Sequence, residues 1–539
     1  MGAAKGRVIV DLDRRQFLAG AATVAGVTAL GAAPAVAREP GTDADGPFAL
    51  GVASGDPLPD SVILWTRLVA DPYDATSLPR RPLPVHWEVA RDATFRRPVH
   101  PGVALARPEL AHSVHVDVRG LDPAREYAYR FRYGTHLSPV GRTRTAPAPW
   151  ADPARLRLGV VNCQDWQNGY WPAYWHLADE DLDAVVHLGD YIYEYDPDSR
   201  FADRRHTTPD TPGLDQLRTL ADYRARHAQY KTDPALQAAH RAFPWVLTWD
   251  DHEVENNYAD DVDEVDDTGA RRQDPAAFTR QRARAYQAYY EHMPVRAPYR
   301  LGSPDFRIYR RLRFGRMAEV SVLDTRQYRT DQPGGFANDF GPPEAGLLPG
   351  SLTAGPQERW LLGNLARSRS RWNVVAQQVM LAQLRFPNPT GGLPPTLANL
   401  DQWDGYRAQR TRLLRFVEAA RVRNPIVLAG DIHSTWFSDL KRDFDDPSSP
   451  TVAAEFVATS VSSTFPAEYD AVLKQVNPTF NPHVRYYQGA RRGYLRCELT
   501  AESWRTDERT VDTIDVRESP VRTTGSYAVE NGVPGLVPS

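Results

Sequence analysis

The sequence is poor in cysteine and lysine, and after its first 37 residues it has no apolar segment long enough to cross a membrane. Its 539 residues include two cysteines, so at most one disulfide is possible and the fold depends on core packing. Lysine supplies only four of the 64 basic residues. The net charge of −4 provides no overall basic field for nucleic acid or an anionic membrane surface. We therefore expect small or neutral partners and no nucleic acid.

The rest of the composition is that of a globular protein. Hydrophobic residues make up 42% of the chain and charged residues 24%, which excludes wholesale disorder and a collagen-like fold. A chain of 539 residues is long enough for two or three domains.

The N-terminus has the layout of an export signal. Arg14 and Arg15 precede an uncharged, Ala/Gly-rich stretch over residues 17–37 that ends in Ala35-Val36-Ala37. This pattern predicts a signal peptide over residues 1–37 that resembles a twin-arginine signal, with cleavage after Ala37. The alternative, an uncleaved membrane anchor, is disfavoured by the small residues at the end of the stretch. We expect a protein exported by the twin-arginine machinery, secreted, and without a stable membrane anchor once cleaved.

Two further segments differ in their hydrophobic pattern. Residues 45–145 contain short alternating runs separated by Pro, Gly and Asp, which predicts a β-sandwich domain. Within it, Leu121-Asp122-Pro123 followed by Tyr127 looks like the tyrosine corner of fibronectin type III-like domains. Residues 150–505 alternate buried-type strands with helices and predict an α/β domain. Residues 506–539 form a polar C-terminal extension, which either caps the active site or simply trails.

The strands predicted in the α/β domain are apolar throughout, so helices should cover both sides of the sheet layer. In such folds, ligands bind beyond the carboxyl ends of the strands. Four predicted strand ends carry residues that can bind a metal: Asn162-Cys163-Gln164, Gly189-Asp190-Tyr191-Ile192-Tyr193, Trp249-Asp250-Asp251-His252-Glu253 and Gly430-Asp431-Ile432-His433. Each motif alone is weak, but burying so many charges together is costly without a cation. Together they predict a metal site.

The residue types constrain the metal. Thiolate, carboxylate, phenolate and imidazole side chains, from Cys163, Asp190, Tyr193 and His433, suit a transition metal such as iron. The oxygen donors Asp251, Asn257 and Asp431 suit calcium or magnesium, and Asp190 has two oxygens with which to bridge both sites. Two metals about 3.5–4 Å apart serve phosphoester hydrolysis. The motifs of covalent acyl transfer and of nucleotide-driven phosphoryl transfer do not accompany these strands.

Several motifs together resemble the alkaline phosphatase D family of secreted enzymes, which also includes some secreted phospholipases D. The motifs are Gly51-Val52-Ala53-Ser54-Gly55-Asp56-Pro57, Trp65-Thr66-Arg67, Gly189 to Tyr195, Trp249 to Asn257, Leu323 to Arg329 and Gly430 to Ser434. The resemblance runs through nearly the whole mature chain. It implies a calcineurin-like metallophosphoesterase with a four-layer αββα core, Fe³⁺ and Ca²⁺.

The resemblance also implies roles for individual residues. Cys163, Asp190, Tyr193 and His433 match the iron ligands, with Asp190 bridging to calcium. In the wider metallophosphoesterase pattern, Asp251 matches a metal ligand, His252 the catalytic histidine that follows it, and Asp431 a ligand of the second metal. Asn257 is a further expected calcium ligand. Oxygen ligands at these positions favour calcium over zinc or manganese.

The resulting hypothesis is hydrolysis by a metal-bound hydroxide, with His252 protonating the leaving group or stabilising charge on the phosphate. The alternative role for His252 is to orient Asp251. Arg326, just after a predicted strand, is expected to bind phosphate through its guanidinium fork or to pair with Asp324, and the sequence leaves these two roles equal.

The substrate is expected to be a small phosphoester. A phosphomonoester, a phospholipid head group and a teichoic-acid-type diester all stay open, so a phospholipase D-type phosphodiesterase is the alternative enzyme. A non-catalytic secreted binding protein is the alternative from another class. It is disfavoured because Cys163, Asp190, Tyr193, Asp251, Asp431 and His433 are all present.

Overall fold

Two large mixed β-sheets contain most of the strand residues. The structure is a computed structural model that describes residues 46–195, 217–263, 274–333, 340–388, 395–446 and 448–539. The predicted signal peptide, with Arg14, Arg15 and the cleavage site after Ala37, lies outside the described residues.

The described residues contain 25 strands and seven α-helices. The strands are β1 (Val52–Gly55), β2 (Ser61–Arg67), β3 (Leu83–Ala90), β4 (Pro98–Ala106), β5 (Ser113–Arg119), β6 (Glu126–Tyr133), β7 (His136–Leu137), β8 (Gly141–Arg144), β9 (Leu156–Val161), β10 (Ala184–His187), β11 (Pro244–Leu247), β12 (Arg310–Phe314), β13 (Ala318–Val322), β14 (Phe340–Gly341), β15 (Trp372–Ala376), β16 (Phe386–Pro387), β17 (Thr396–Asn399), β18 (Pro425–Ala429), β19 (Thr435–Lys441), β20 (Thr451–Val457), β21 (Val484–Gln488), β22 (Gly493–Leu499), β23 (Ser503–Val511), β24 (Val521–Glu530) and β25 (Val533–Pro538). The helices are α1 (Pro172–Asp179), α2 (Leu220–Lys231), α3 (Pro234–Ala242), α4 (Pro275–His292), α5 (Ala354–Arg367), α6 (Arg407–Ala419) and α7 (Ala467–Phe480).

The strands form two large and two small sheets. The ten-stranded sheet has the order β25-β24-β23-β22-β9-β10-β11-β1-β2-β5, and the seven-stranded sheet has the order β12-β13-β15-β18-β20-β19-β21. The central strands β9, β10, β11 and β1 pair in parallel, as do β13, β15, β18 and β20. Both large sheets also contain antiparallel pairs at their edges. The chain therefore has the predicted α/β content, arranged in mixed sheets.

Apolar clusters lie on both faces of each large sheet. One cluster joins the two sheets to each other, with Leu158 and Val186 of the first sheet and Val374 and Leu428 of the second. A second cluster packs helices α1 to α4 on the other face of the first sheet. A third packs α5, α6 and α7 on the other face of the second sheet. The central strands are thus buried on both sides, as their continuous apolarity predicts.

The local sequence explains where helices α3 and α4 begin. Asp233 caps α3 by accepting hydrogen bonds from the backbone N–H groups of Ala235 and Leu236, both at 2.9 Å. Asp274 caps α4 in the same way through Ala277 at 2.9 Å. In both helices proline occupies the first turn, where its missing N–H costs nothing.

The N-terminal part is a two-layer β-structure that shares one sheet with the rest of the chain. A five-stranded sheet of β3, β4, β6, β7 and β8 packs through an apolar cluster on β1, β2 and β5. Strand β1 also pairs in parallel with β11, which continues the ten-stranded sheet across the predicted domain boundary near residue 145. The predicted tyrosine corner is present, because the Tyr127 hydroxyl accepts a 2.8 Å hydrogen bond from the Asp122 backbone N–H.

The C-terminal segment is an integral part of the ten-stranded sheet. Strands β23, β24 and β25 extend that sheet from β22 to its edge. The segment therefore does not simply trail, because its backbone is paired over most of residues 503–538. In the described residues, none of the helices is both long enough and apolar enough to span a bilayer.

Candidate metal centre

Strand ends from both large sheets bring the predicted ligands together. Cys163 follows β9, Asp190 follows β10, Asp251 follows β11, and Asp431 with His433 follows β18. These strands are parallel within their sheets, so their carboxyl ends face the same edge.

Several of these residues have an unusual backbone conformation. Cys163, Asp190, Asp431 and His433 have φ angles of 54°, 56°, 64° and 56°. This left-handed region is uncommon for residues other than glycine, and such strain concentrates at functional sites. The loops therefore keep a conformation that costs free energy and that aims these side chains toward one another.

The four residues predicted to bind iron converge on one point. The Asp190 carboxylate accepts hydrogen bonds at its Oδ2 from the Cys163 thiol at 3.3 Å and from the Tyr193 hydroxyl at 3.0 Å. The Tyr193 hydroxyl lies 3.2 Å from His433 Nε2. Ligand atoms of Cys163, Asp190 and His433 all lie within 4.8 Å of one another.

A second group contains only carboxylates and shares Asp190 with the first. Oxygen atoms of Asp190, Asp250, Asp251 and Asp431 lie within 4.8 Å of one another, and all four residues are buried. Asp190 thus belongs to both groups, and its predicted role as a bridge between two metals stays a prediction. Asp250 was not among the predicted ligands, although it lies within the same Trp249-Asp250-Asp251 motif.

The two groups suit cations because their negative charges are buried together. Burial raises the pKa of Asp190 well above its ordinary value, and the nearby Asp251, Glu253 and Asp431 raise it further, against the opposing effect of His252. Burial also raises the pKa of the Cys163 thiol, with Asp190 and Asp431 adding to the effect. Asp190 Oδ1 and Asp250 Oδ2 are buried and make no hydrogen bond with any described residue. A bound cation would satisfy these oxygens and remove the repulsion, so the donor set fits metal ions.

His252 lies beside the ligands and is oriented by Glu194. Its Nδ1 is 2.8 Å from Glu194 Oε2, while Glu194 Oε1 accepts a 2.8 Å hydrogen bond from the Asn256 backbone N–H. The ring stacks on Tyr193 with a centroid distance of 4.1 Å. Burial by itself would lower the pKa of His252, but Glu194 and nearby aspartates reverse this and raise the pKa well above its ordinary value. The Glu194 carboxylate therefore favours the protonated form of the imidazole.

Asn257 contacts the carboxylate group through its backbone. Its N–H donates a 2.7 Å hydrogen bond to Asp251 Oδ2, and its φ angle is 51°. The turn that contains Asn257 thus fixes the Asp251 carboxylate. The predicted role of the Asn257 side chain as a calcium ligand stays a prediction.

Arg326 lies completely buried among carboxylates. Its Nε donates to Asp250 Oδ1 at 2.5 Å, its Nη1 to Asp401 Oδ1 at 2.9 Å and its Nη2 to Asp431 Oδ1 at 3.3 Å. Asp324 instead accepts hydrogen bonds from the backbone N–H groups of Arg326 and Gln327. The side chain of Arg326 is therefore a counter-charge of the acidic group rather than a partner of Asp324. Its predicted contact with phosphate stays a prediction.

Replacing Arg326 by lysine tests this arrangement. The planar guanidinium of Arg326 contacts Asp250 through one edge and Asp401 through the other. Lysine keeps the positive charge but has a single nitrogen, which cannot reach both carboxylates, so charge-assisted hydrogen bonds are lost. We expect the free energy of unfolding of the metal-free protein to fall by about 2 kcal/mol, measured by urea titration. The exposed pair of Arg412 and Glu358 is the matched control, and Arg412→Lys should change the stability by less than about 0.5 kcal/mol. Equal effects of the two substitutions would contradict the assignment.

Other residues at the site were missed by the sequence analysis. Glu253 accepts hydrogen bonds from the backbone N–H groups of Asp190 at 3.1 Å, Tyr191 at 2.8 Å and Asp250 at 2.9 Å, so it ties two ligand loops together. The Ser463 hydroxyl is 2.7 Å from the Tyr193 hydroxyl. Glu194 and Glu253 lie inside motifs that the sequence analysis quoted, which was an available signal. Ser463 and Asp401 come from distant parts of the chain and carry no local signal.

Fold and site together define an α/β protein with a buried cluster of potential metal ligands at its strand ends. Comparison with known proteins assigns the family. The family model described as "PhoD-like phosphatase" matches residues 158–508, and "PhoD-like phosphatase, N-terminal domain" matches residues 32–147. The chain therefore belongs to the PhoD-like phosphatase family.

Individual relatives agree with this assignment. Alkaline phosphatase D of Bacillus subtilis (strain 168) is 43% identical over 534 residues, which cover 97% of this chain and 88% of the relative. A solved structure described as "Structure of PhoD" is 43% identical, covers 93% of each chain and superposes with a TM-score of 0.83. The predicted resemblance to the alkaline phosphatase D family is confirmed, and the protein is an enzyme of this phosphatase family.

Proposed function

We propose that the protein is a secreted, metal-dependent phosphoester hydrolase whose buried cluster holds iron and calcium. One observation carries the proposal: a thiol, a phenol, an imidazole and a carboxylate from Cys163, Tyr193, His433 and Asp190 converge, and Asp190 Oδ1 is buried without a described hydrogen-bond partner. Family membership supports a phosphoester substrate. The export signal over residues 1–37 and the twin-arginine route belong to the same proposal and rest on sequence alone.

The donor types divide the cluster between two metals. Cys163, Tyr193 and His433 would hold iron, because sulfur, phenolate and imidazole ligands suit a transition metal. Asp251, Asp431 and Asn257 would hold calcium, which prefers oxygen ligands, and Asp190 would contact both ions. When bound, two such cations supply positive charge opposite the phosphate oxygens and lower the pKa of water.

The protein itself supplies a proton for the leaving group through His252, which Glu194 and Tyr193 hold in place. Glu194 fixes the His252 ring through Nδ1, which leaves Nε2 as the nitrogen that can give a proton to the departing alkoxide. Burial lowers the pKa of His252, but the adjacent Glu194 carboxylate raises it and so favours the protonated imidazole. Tyr193 stacks on the ring and prevents it from turning away. His252 is thus the proposed general acid.

The arrangement of layers supports the same class of enzyme. The two large sheets pack face to face, and helices cover the outer face of each. We infer from this a four-layer αββα metallophosphoesterase core over residues 150–505. The fibronectin type III-like sandwich over residues 45–145 and the C-terminal extension over residues 506–539 complete the proposed organisation.

Diester hydrolysis, as in a phospholipase D-type enzyme, is a second candidate that one observation favours. Three arginines next to the ligands already donate to protein groups: Arg326 to carboxylates, Arg226 to the Tyr193 carbonyl and Arg492 to the His433 carbonyl. A phosphomonoester carries one more negative oxygen than a diester and gains more from an available guanidinium. Engaged arginines therefore favour the diester, whether a phospholipid head group or a teichoic-acid-type polymer.

Two model substrates test these proposals. The purified protein is assayed with p-nitrophenyl phosphate and with bis(p-nitrophenyl) phosphate, before and after metal removal and after return of iron and calcium. We expect turnover to disappear with the metals and to come back with both ions, with a higher kcat/KM for the diester. Full activity in a metal-free protein would contradict the proposed function, and a strong monoester preference would contradict only the second candidate.

Replacing Tyr193 by phenylalanine tests the phenolate ligand. We expect the loaded wild-type protein to absorb visible light through charge transfer from a phenolate to iron, and Tyr193→Phe to lose this band and at least about 10-fold in iron affinity. Tyr195→Phe is the matched control, because that ring lies 6.5 Å from Tyr193 and is not a proposed ligand. The measurement is a visible spectrum together with an iron titration. An unchanged spectrum in Tyr193→Phe would exclude the ligand role.

A further inference from the structure

The N-terminal five-stranded sheet has one face in the core and one face outside. Its strand registers place Val103 opposite His86, His86 opposite Arg132, and Arg132 opposite Leu137, in one row across β4, β3, β6 and β7. The next residue pair on β4 and β3 with the same orientation is Leu105 and Pro84. We call the surface formed by Pro84, His86, Val99, Val103, Leu105, Arg132 and Leu137 the outer sheet face.

The outer sheet face is unusually apolar for a surface. Val103, Leu105 and Leu137 are 56%, 51% and 53% exposed, and Val99 is 37% exposed. Three of these four lie on β4, which is the edge strand of its sheet. Neighbouring exposed apolar side chains, as on β4, mark interaction surfaces.

The segment that contains this sheet is basic, although the chain as a whole is not. Residues 80–144 contain twelve arginines against six acidic residues, whereas the whole chain has a net charge of −4. Arg97 and Arg107 flank β4 and are exposed, as are Arg132 and Arg142 on the neighbouring strands. The net charge of the whole chain gives no sign of a basic surface, but the local excess of arginine over acidic residues provides one.

The combination of apolar and cationic groups identifies the partner. A hydrophilic polyanion would not use the exposed Val103 and Leu105, and a neutral apolar partner would not use the arginines. A second copy of the chain pairing along β4 is disfavoured, because Pro98 and Pro101 remove backbone donors from that edge. Anionic lipid surfaces match both features, since side chains enter the interface while arginines meet the head groups.

We propose that the outer sheet face docks the protein on a bilayer surface that contains anionic phospholipid. The contact is peripheral and reversible, and the apolar side chains of β4 enter the interfacial layer. It does not depend on the metal centre.

Vesicle co-sedimentation of the purified protein tests the proposal. The vesicles are phosphatidylcholine alone, or phosphatidylcholine with phosphatidylglycerol in equal parts. We expect binding to the anionic vesicles that weakens as salt is added, and little binding to the neutral ones. Val103→Thr with Leu105→Thr should weaken binding about tenfold, and Arg132→Ser with Arg142→Ser should do the same. Hydrolysis of p-nitrophenyl phosphate in solution should be unchanged in both.

Matched controls replace equally exposed residues elsewhere. Leu347→Thr with Leu348→Thr removes side chains that are 60% and 47% exposed, and Arg415→Ser with Arg423→Ser removes two exposed arginines. Both control proteins should bind as the wild type does. Absence of binding to anionic vesicles, equal binding to neutral vesicles, or equal losses in test and control variants would overturn the proposal. Loss of self-association instead of vesicle binding in the β4 variant would assign the face to a second copy.

Discussion

Replacing Asp190 by asparagine should reduce turnover by about four orders of magnitude. Asp190 belongs to both groups of ligands, and its oxygens lie within 4.8 Å of those of Asp250, Asp251 and Asp431. Asparagine has a similar shape but no negative charge, so we expect both proposed ions to bind weakly. The measurement is kcat/KM for a phosphodiester together with metal content.

The same substitution should have the opposite effect on the stability of the metal-free protein. Asparagine removes one of four buried carboxylates that repel each other, so metal-free Asp190→Asn should unfold at a higher urea concentration than the metal-free wild type. Added metals should stabilise only the wild type. Asp181→Asn, at an exposed carboxylate, is the control and should change neither property. Retained turnover in Asp190→Asn would contradict the assigned centre.

The second large effect is expected at His252. His252→Asn should lower kcat by about a thousandfold for substrates with an alkyl leaving group, because a poor leaving group needs the proton that the imidazole supplies. The loss should be smaller for p-nitrophenyl esters, whose leaving group departs as an anion. Glu194→Gln should show the same dependence on the leaving group to a lesser degree, since Glu194 holds Nδ1 at 2.8 Å.

The iron content of the variant distinguishes a general-acid role of His252 from a structural role in supporting Asp251. His252→Asn should keep its iron, and the exposed His136→Asn should behave as the wild type does. Equal losses for good and poor leaving groups, accompanied by loss of iron, would assign His252 to the support of Asp251 instead.

Local patterns explain how much of the fold was predictable. The strands near Cys163, Asp190, Asp251 and Asp431 are short, apolar runs that end in polar residues, and such runs are visible in sequence because burial on both faces leaves no alternation. Once the strands are parallel, their carboxyl ends meet at one edge. The convergence of the ligands therefore follows from the pattern.

Pairing between distant segments was not predictable in this way. The β1 strand is typical of a separate sandwich, yet it pairs in parallel with β11, almost 200 residues away in sequence. Strands β23, β24 and β25 gave no clear periodicity. Their place follows from pairing, because β23 pairs with β22, β24 with β23, and β25 with β24. Strand periodicity reports which face is buried but not which strand lies alongside.

The same limit applies to the site. Arg326 was expected to contact phosphate or Asp324, but its partners Asp250, Asp401 and Asp431 are 76, 75 and 105 residues away. Ser463 reaches Tyr193 from 270 residues away. Contacts of this separation leave no trace in a single sequence, whereas Glu194 and Glu253 lie next to recognised ligands.

Anomalous diffraction at the iron K edge, measured on crystals of the purified protein, tests the central claim most directly. The account predicts one strong iron peak surrounded by Cys163 Sγ, Tyr193 Oη, His433 Nε2 and an Asp190 oxygen, with a weaker scatterer on the other side of Asp190. A well-folded, active enzyme with no scatterer between these four residues would contradict it.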